Sequence, residues 1–145
     1  MKRFQKTLAL ILVIALCSPL ITTVFASGEI TPRYNNLVSA TTTATVSSSG
    51  LLVVRHRLQG IQGVTIYTDI TTKVEKKTLG LFWSEVDIGT TNNVWNIHVG
   101  SASYDGTRQC QLSSTGTYRI TSTYVVTGTG GAADTITSTC QVTYK

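Results

Sequence analysis

The residues that could do chemistry are few and scattered. Glu85 and Asp87 stand at i and i+2, which puts two carboxylates on one face of a strand. Paired carboxylates can share acid and base work in glycoside hydrolysis, but they must flank a cleft from opposing sides. Two on one strand fit a solvated face better, and Asp69 does not complete a site. His56 and His98 each sit between strand residues, the setting of a structural histidine. No phosphate-binding glycine loop, nucleophile elbow or zinc-binding His-Glu helix occurs. Calcium needs several oxygen ligands in one loop, and Asp105-Gly106 offers a single carboxylate. The chain is therefore expected to be non-enzymatic, with no catalytic residue, metal or cofactor.

Binding features are more distinct. Phe82 and Trp83 are consecutive. Neighbours on a strand point to opposite faces, so a two-layer sandwich exposes one of them as a candidate for stacking a sugar. Arg55 and Arg57, with Lys73, Lys76 and Lys77, could form a basic patch for anionic wall polymers or lipid headgroups. The alternative is an ordinary solvated face.

The chain has 145 residues. Met1–Lys6 carries Lys2, Arg3 and Lys6, Leu8–Leu16 is wholly apolar, and Val24-Phe25-Ala26 presents small residues where a signal peptidase reads. This is the pattern of a cleaved signal peptide over 1–26, with the cut between Ala26 and Ser27. The apolar run is too short to span a membrane, so the mature chain is expected to have no membrane span. Cys17 leaves lipidation as an alternative, although Leu16 before it is a poor match for a lipoprotein signal. An uncleaved leader is the other alternative. Either would anchor the chain to a membrane instead of releasing it.

The formal net charge of +5 is mostly the leader's, since only 9 of the 12 Lys and Arg lie beyond it against 7 acids. That excess is too small to argue for nucleic acid. The mature length suits one domain with one modest core. Cys110 and Cys140 remain after cleavage. An even count in an exported chain reads as one disulfide, closing a loop worth roughly 3–4 kcal/mol.

Short strand and turn signals alternate along the rest. Residues 27–36 read as an extended arm, and 37–145 as one β-sandwich domain. Leu37–Val46 is a Thr-rich edge strand, turned by Ser47–Gly50. Leu51–Leu58 follows, with Leu52, Val54 and Leu58 on one face and Arg55 and Arg57 on the other. Val64–Glu75 places Val64, Ile66, Ile70 and Val74 together, and Lys76-Lys77 marks a turn into Leu79–Ile88. Asp105-Gly106 predicts a type I′ hairpin. Its register puts Trp95, Ile97, Val99, Cys110 and Leu112 on one apolar side. Thr117–Thr127 and Ala133–Tyr144 close the series, with Ile136, Cys140, Val142 and Tyr144 in phase.

Gly116-Thr117-Tyr118-Arg119 opens the penultimate strand and resembles the tyrosine corner of immunoglobulin-like sandwiches. Ile120 stands where antibody domains carry a cysteine. Together with Gly28-Glu29-Ile30-Thr31-Pro32-Arg33-Tyr34-Asn35, this motif resembles a group of small secreted proteins of Gram-positive gut bacteria. The resemblance implies an exported immunoglobulin-like domain of unknown function and brings no catalytic residues. The reading is an antiparallel immunoglobulin-like β-sandwich of about seven or eight strands. It would serve as a secreted interaction or structural module. Its partner is expected to be a cell-wall polymer, a glycan or another extracellular protein. A secreted effector with a basic face, and a small carbohydrate-binding module, are the alternatives.

Overall fold

The structure is a computed structural model, and it describes residues 34–145. The leader, Cys17 and the Ala26–Ser27 position lie outside the described residues. Eight strands occur: β1 (Leu37–Val46), β2 (Leu51–Gly60), β3 (Thr65–Thr78), β4 (Phe82–Glu85), β5 (Val94–Val99), β6 (Ser103–Gln111), β7 (Gly116–Gly128) and β8 (Asp134–Tyr144). They form two antiparallel sheets, β1-β2-β6 and β4-β3-β7-β8, with β5 also paired to β3. In immunoglobulin lettering this is A-B-E against C-F-G. Here β4 serves as C′, and β5 takes the place of D but pairs with C. The domain is an all-β, antiparallel, immunoglobulin-like sandwich.

Alternation builds each layer. In β2, Leu52, Val54, His56 and Leu58 are buried, while Arg55, Arg57 and Gln59 are exposed. In β7, Tyr118, Ile120, Ser122, Tyr124 and Val126 are buried. The core divides into two apolar clusters. One gathers Leu52, Val54, Val74, Ile88, Trp95, Leu112, Tyr118 and Ile120, with Cys110 and Cys140 half-buried against it. The other gathers Leu37, Leu58, Ile70, Ile97, Val99, Tyr124 and Val126. Between them β2, β3 and β7 each contribute a buried polar residue. His56 lies between Val54 and Leu58, Thr72 between Ile70 and Val74, and Ser122 between Ile120 and Tyr124. His56 Nε2 and Ser122 Oγ each lie 2.8 Å from Thr72 Oγ1.

The entry of the chain is clipped to its last strand. Asp134 accepts from the backbone N–H of Asn35 at 3.1 Å and of Asn36 at 2.6 Å. The Asn36 side chain donates to the Ala132 carbonyl and accepts from the Gly130 N–H. Asn36, assigned to the arm by sequence, is fully buried and belongs to the domain.

Four expectations need correction. Asp105-Gly106 is not a turn but lies within β6, which pairs with β2. β5 pairs with β3, so the chain changes sheet between Val99 and Ser103. Trp95, Ile97, Val99 and Leu112 are nonetheless buried, with Cys110 half-buried. Gly106 is required for space, because a Cβ there would collide with the Tyr104 ring. Lys76-Lys77 does not turn. β3 continues to Thr78, and the strand expected over Leu79–Ile88 shortens to Phe82–Glu85. Ile66 is 54% exposed, beside a register shift between Thr65 and Tyr67.

The fourth correction concerns the disulfide. Cys110 and Cys140 are free thiols. Strand order supplies the reason. β1 lies beside β8, where the Thr42 N–H donates to Ser138 Oγ, and β6 is at the far side of β2. The cysteines therefore sit on diagonally opposed edges, about two strand spacings and one intersheet gap apart. A disulfide requires Cα atoms closer than about 7 Å. Desolvation raises the pKa of both thiols, so they behave as small core-edge hydrophobes.

Candidate functional site

The hairpin joining β3 to β4 is the least conventional part of the surface. The last β3–β7 pair is Lys76 with Tyr118. Beyond it, Lys77 and Thr78 pair only with Trp83 and Phe82 of β4, so the hairpin projects past the body of its sheet. Its turn has positive φ at Leu79 (53°) and Gly80 (71°). The Leu81 N–H donates to the Thr78 carbonyl at 3.2 Å. This is type I′ geometry, which favours Asn-Gly. Here the first turn residue is leucine. Leu79 is 85% exposed, Leu81 76% and Phe82 63%.

Below the tip the outer face carries a layered charge arrangement. The Arg119 guanidinium lies 4.3 Å from the Trp83 ring centroid and the Lys77 ammonium 5.9 Å. Cation–π contacts of this kind contribute about 0.5–1 kcal/mol at exposed sites. Arg119 also donates to Glu75, at 2.9 Å from Nε. Lys73 reaches the other Glu75 oxygen at 3.4 Å. Glu75 can thus be buried as an ion pair. Lys76 donates to Ser114 Oγ at 2.6 Å.

Phe82 and Trp83 take opposite faces. Arg119 covers Trp83, so the two do not form a coplanar stacking platform. The predicted basic group is divided between sheets. Arg55 and Arg57 lie on the outer face of β2 and share Asp105: Arg55 donates from Nε at 2.6 Å and from a terminal nitrogen at 2.5 Å, and Arg57 lies at 3.3 Å. The Arg55 bond holds the Asp105 carboxyl below its usual range. The lysines belong to β3. His98 meets Asp69 at 2.7 Å on an exposed face. Glu85 and Asp87 are exposed, and Asp87 accepts from the Gly89 N–H at 2.9 Å.

Among the described residues, the arrangement with the composition of a catalytic relay, His56–Thr72–Ser122, is fully buried at all three residues. No substrate reaches it. Desolvation, and secondarily Arg108, lowers the His56 pKa to about 4, so it is neutral. Tyr118 is buried, and its hydroxyl donates to the Ser114 carbonyl, the bond that defines a tyrosine corner. Among the described residues no group of three or more His, Cys, Asp or Glu gathers as metal ligands. Sequence reasoning missed Leu79 and Leu81. The signal was present as Leu79-Gly80-Leu81-Phe82-Trp83, an apolar run that a two-layer sandwich cannot bury whole.

No family model matches the chain, and no curated protein is significantly similar to it. The solved structures that resemble it include two of note. One is the CARDB domain of the PF1109 protein from Pyrococcus furiosus, solved in complex with di-metal ions. It is 14% identical with a TM-score of 0.47, over 77% of this chain and 96% of that one. The other is the putative ApaA protein from Bordetella pertussis, 18% identical with a TM-score of 0.39, over 77% and 94%.

Proposed function

We propose that the chain is an exported, non-enzymatic interaction module that engages an extracellular partner through its β3–β4 end. The observation that carries this is the protruding turn with Leu79, Leu81 and Phe82 exposed together. Contiguous exposed apolar side chains are unfavourable in water unless something covers them. The outer faces of β1 and β8 are polar and Thr-rich, with Thr41, Thr43, Thr45, Thr135, Thr137 and Thr139 exposed. They offer a partner little to grip. The sealed His56 network supports a role without catalysis, and the Met1–Ala26 pattern supports export.

Intact mass on fractionated culture of the producing cell tests this. The expected species lies outside the cytoplasm and begins at Ser27. A chain that stays in the cytoplasm and keeps Met1 overturns the reading.

A further inference from the structure

We infer that the β3–β4 hairpin is a membrane-docking tip that inserts into the interfacial layer of an anionic lipid bilayer. This rests on the reading of the chain as an exported interaction module and names its partner.

The first argument is local strain. Leu79 holds a left-handed conformation at φ 53°, which a side chain with a Cβ adopts at a cost and which Asn tolerates better. Exposed as it is, Leu79 contributes almost nothing to the core. A leucine that is both strained and solvated is unfavourable for the isolated fold on two counts, and lipid contact removes one of them.

The second argument is layering. The tip presents Leu79, Leu81 and Phe82. The next rung pairs Trp83 with Lys77, then Ser84 with Lys76, and only then Glu85 with Glu75. At about 3.3 Å per residue, the first carboxylates lie about 10 Å below Phe82. Apolar residues outermost, then Trp and Lys, then acids, follows the polarity profile from acyl chains through the headgroups to water. Arg119 and Lys73 meet Glu75, while Lys76, held to Ser114, and Lys77, over the Trp83 ring, make no ion pair among the described residues and leave two unneutralised positive charges within three residues of the turn. That charge complementarity favours lipid over an uncharged apolar groove.

The test compares the full chain with variants in flotation on two vesicle types. One is equal parts phosphatidylglycerol and phosphatidylcholine, and the other is phosphatidylcholine alone. Trp emission is also followed with acyl-brominated phosphatidylglycerol. The leader is common to all variants, so differences report the hairpin. Leu79→Asn is the decisive variant because it suits the turn better than leucine. It is expected to unfold later in urea yet bind anionic vesicles roughly tenfold more weakly. Lys76→Gln with Lys77→Gln is expected to erase the preference for anionic vesicles. Brominated lipid should quench emission in the unaltered chain and much less in Trp83→Phe. Undiminished binding by Leu79→Asn, or quenching that Trp83→Phe leaves intact, overturns the inference. So does a self-association, independent of lipid, that Leu79→Asn abolishes, which assigns the tip to a second copy. An exported chain that fails to insert removes only this inference. A chain retained in the cytoplasm removes the module reading whatever the vesicles show.

Discussion

His56 Nε2 lies 2.8 Å from Thr72 Oγ1 across the sandwich, joining β2 of one sheet to β3 of the other. It is the central contact of a polar layer between two apolar clusters. Each strand that supplies this layer must align its polar residue with the others. Slipping β3 by two residues would set Ile70 or Val74 against the imidazole and bury Thr72 among hydrocarbons. The layer thus pins register where the pattern of the Thr-rich strands would allow slippage.

The same contact predicts acid sensitivity. The folded-state pKa of His56 is about 4, below its ordinary 6.5. Above about pH 6.5 both folded and unfolded chains carry it neutral, and its contribution to stability is complete. As pH falls towards 4 the unfolded chain takes up a proton that the folded chain refuses, so stability declines by about 3 kcal/mol in all. Arg108 and the edge-on Tyr124 ring are its other neighbours. Asp105, held low by Arg55, acts only below the ordinary carboxylate range. Urea midpoints across this window check the decline, and His56→Leu should flatten it.

Tyr118→Phe keeps the ring in the core and removes the hydroxyl that reaches Ser114. Loss of that bond leaves a part-buried carbonyl without its partner, and stability should fall by about 1–3 kcal/mol. Thermal unfolding reads this directly. A shift within error would mean that water replaces the bond at no cost.

Asp134→Ala should be more damaging. It strips the acceptor from two backbone N–H groups, one of them in fully buried Asn36. A loss of about 2–4 kcal/mol is expected. Hydrogen exchange should show early opening at Asn35, Asn36 and the Gly130–Ala132 turn before the rest of the domain.

Leu79→Asn should stabilise the isolated domain by about 1 kcal/mol, since Asn accepts the left-handed turn position. The urea midpoint should rise with the slope unchanged. A fall would mean that Leu79 packs against something in solution.

Intact mass should be the same with and without reductant, because both cysteines are free. Cys110→Ser should cost about 1 kcal/mol, well below the roughly 3–4 expected of a bridge. A mass gain on reduction would falsify the free-thiol arrangement.

Strand content was legible because alternation is a local signal. Leu52, Val54 and Leu58 lie inward, and Trp95, Ile97 and Val99 are buried, as their spacing requires. Strand pairing was not legible from Asp105-Gly106. That dipeptide satisfies turn chemistry as well as it satisfies an Arg55 partner and a tyrosine lying over a glycine, and only the second sheet decides between them. The disulfide expectation failed for a related reason. Phase places both cysteines inward, but strand order places them on opposed edges. The hairpin was hidden because apolar residues read as core wherever burial is assumed.

The Asn36–Asp134 clip joins residues 98 apart in sequence, and β3 and β7 likewise pair across a long stretch of chain. Sandwiches built on such non-local contacts fold in milliseconds to seconds. During synthesis the situation is stricter. Until Asp134 and β8 emerge, β7 lacks an edge partner and the entry of β1 has no anchor. A chain with this topology cannot close its sandwich until β8 is made.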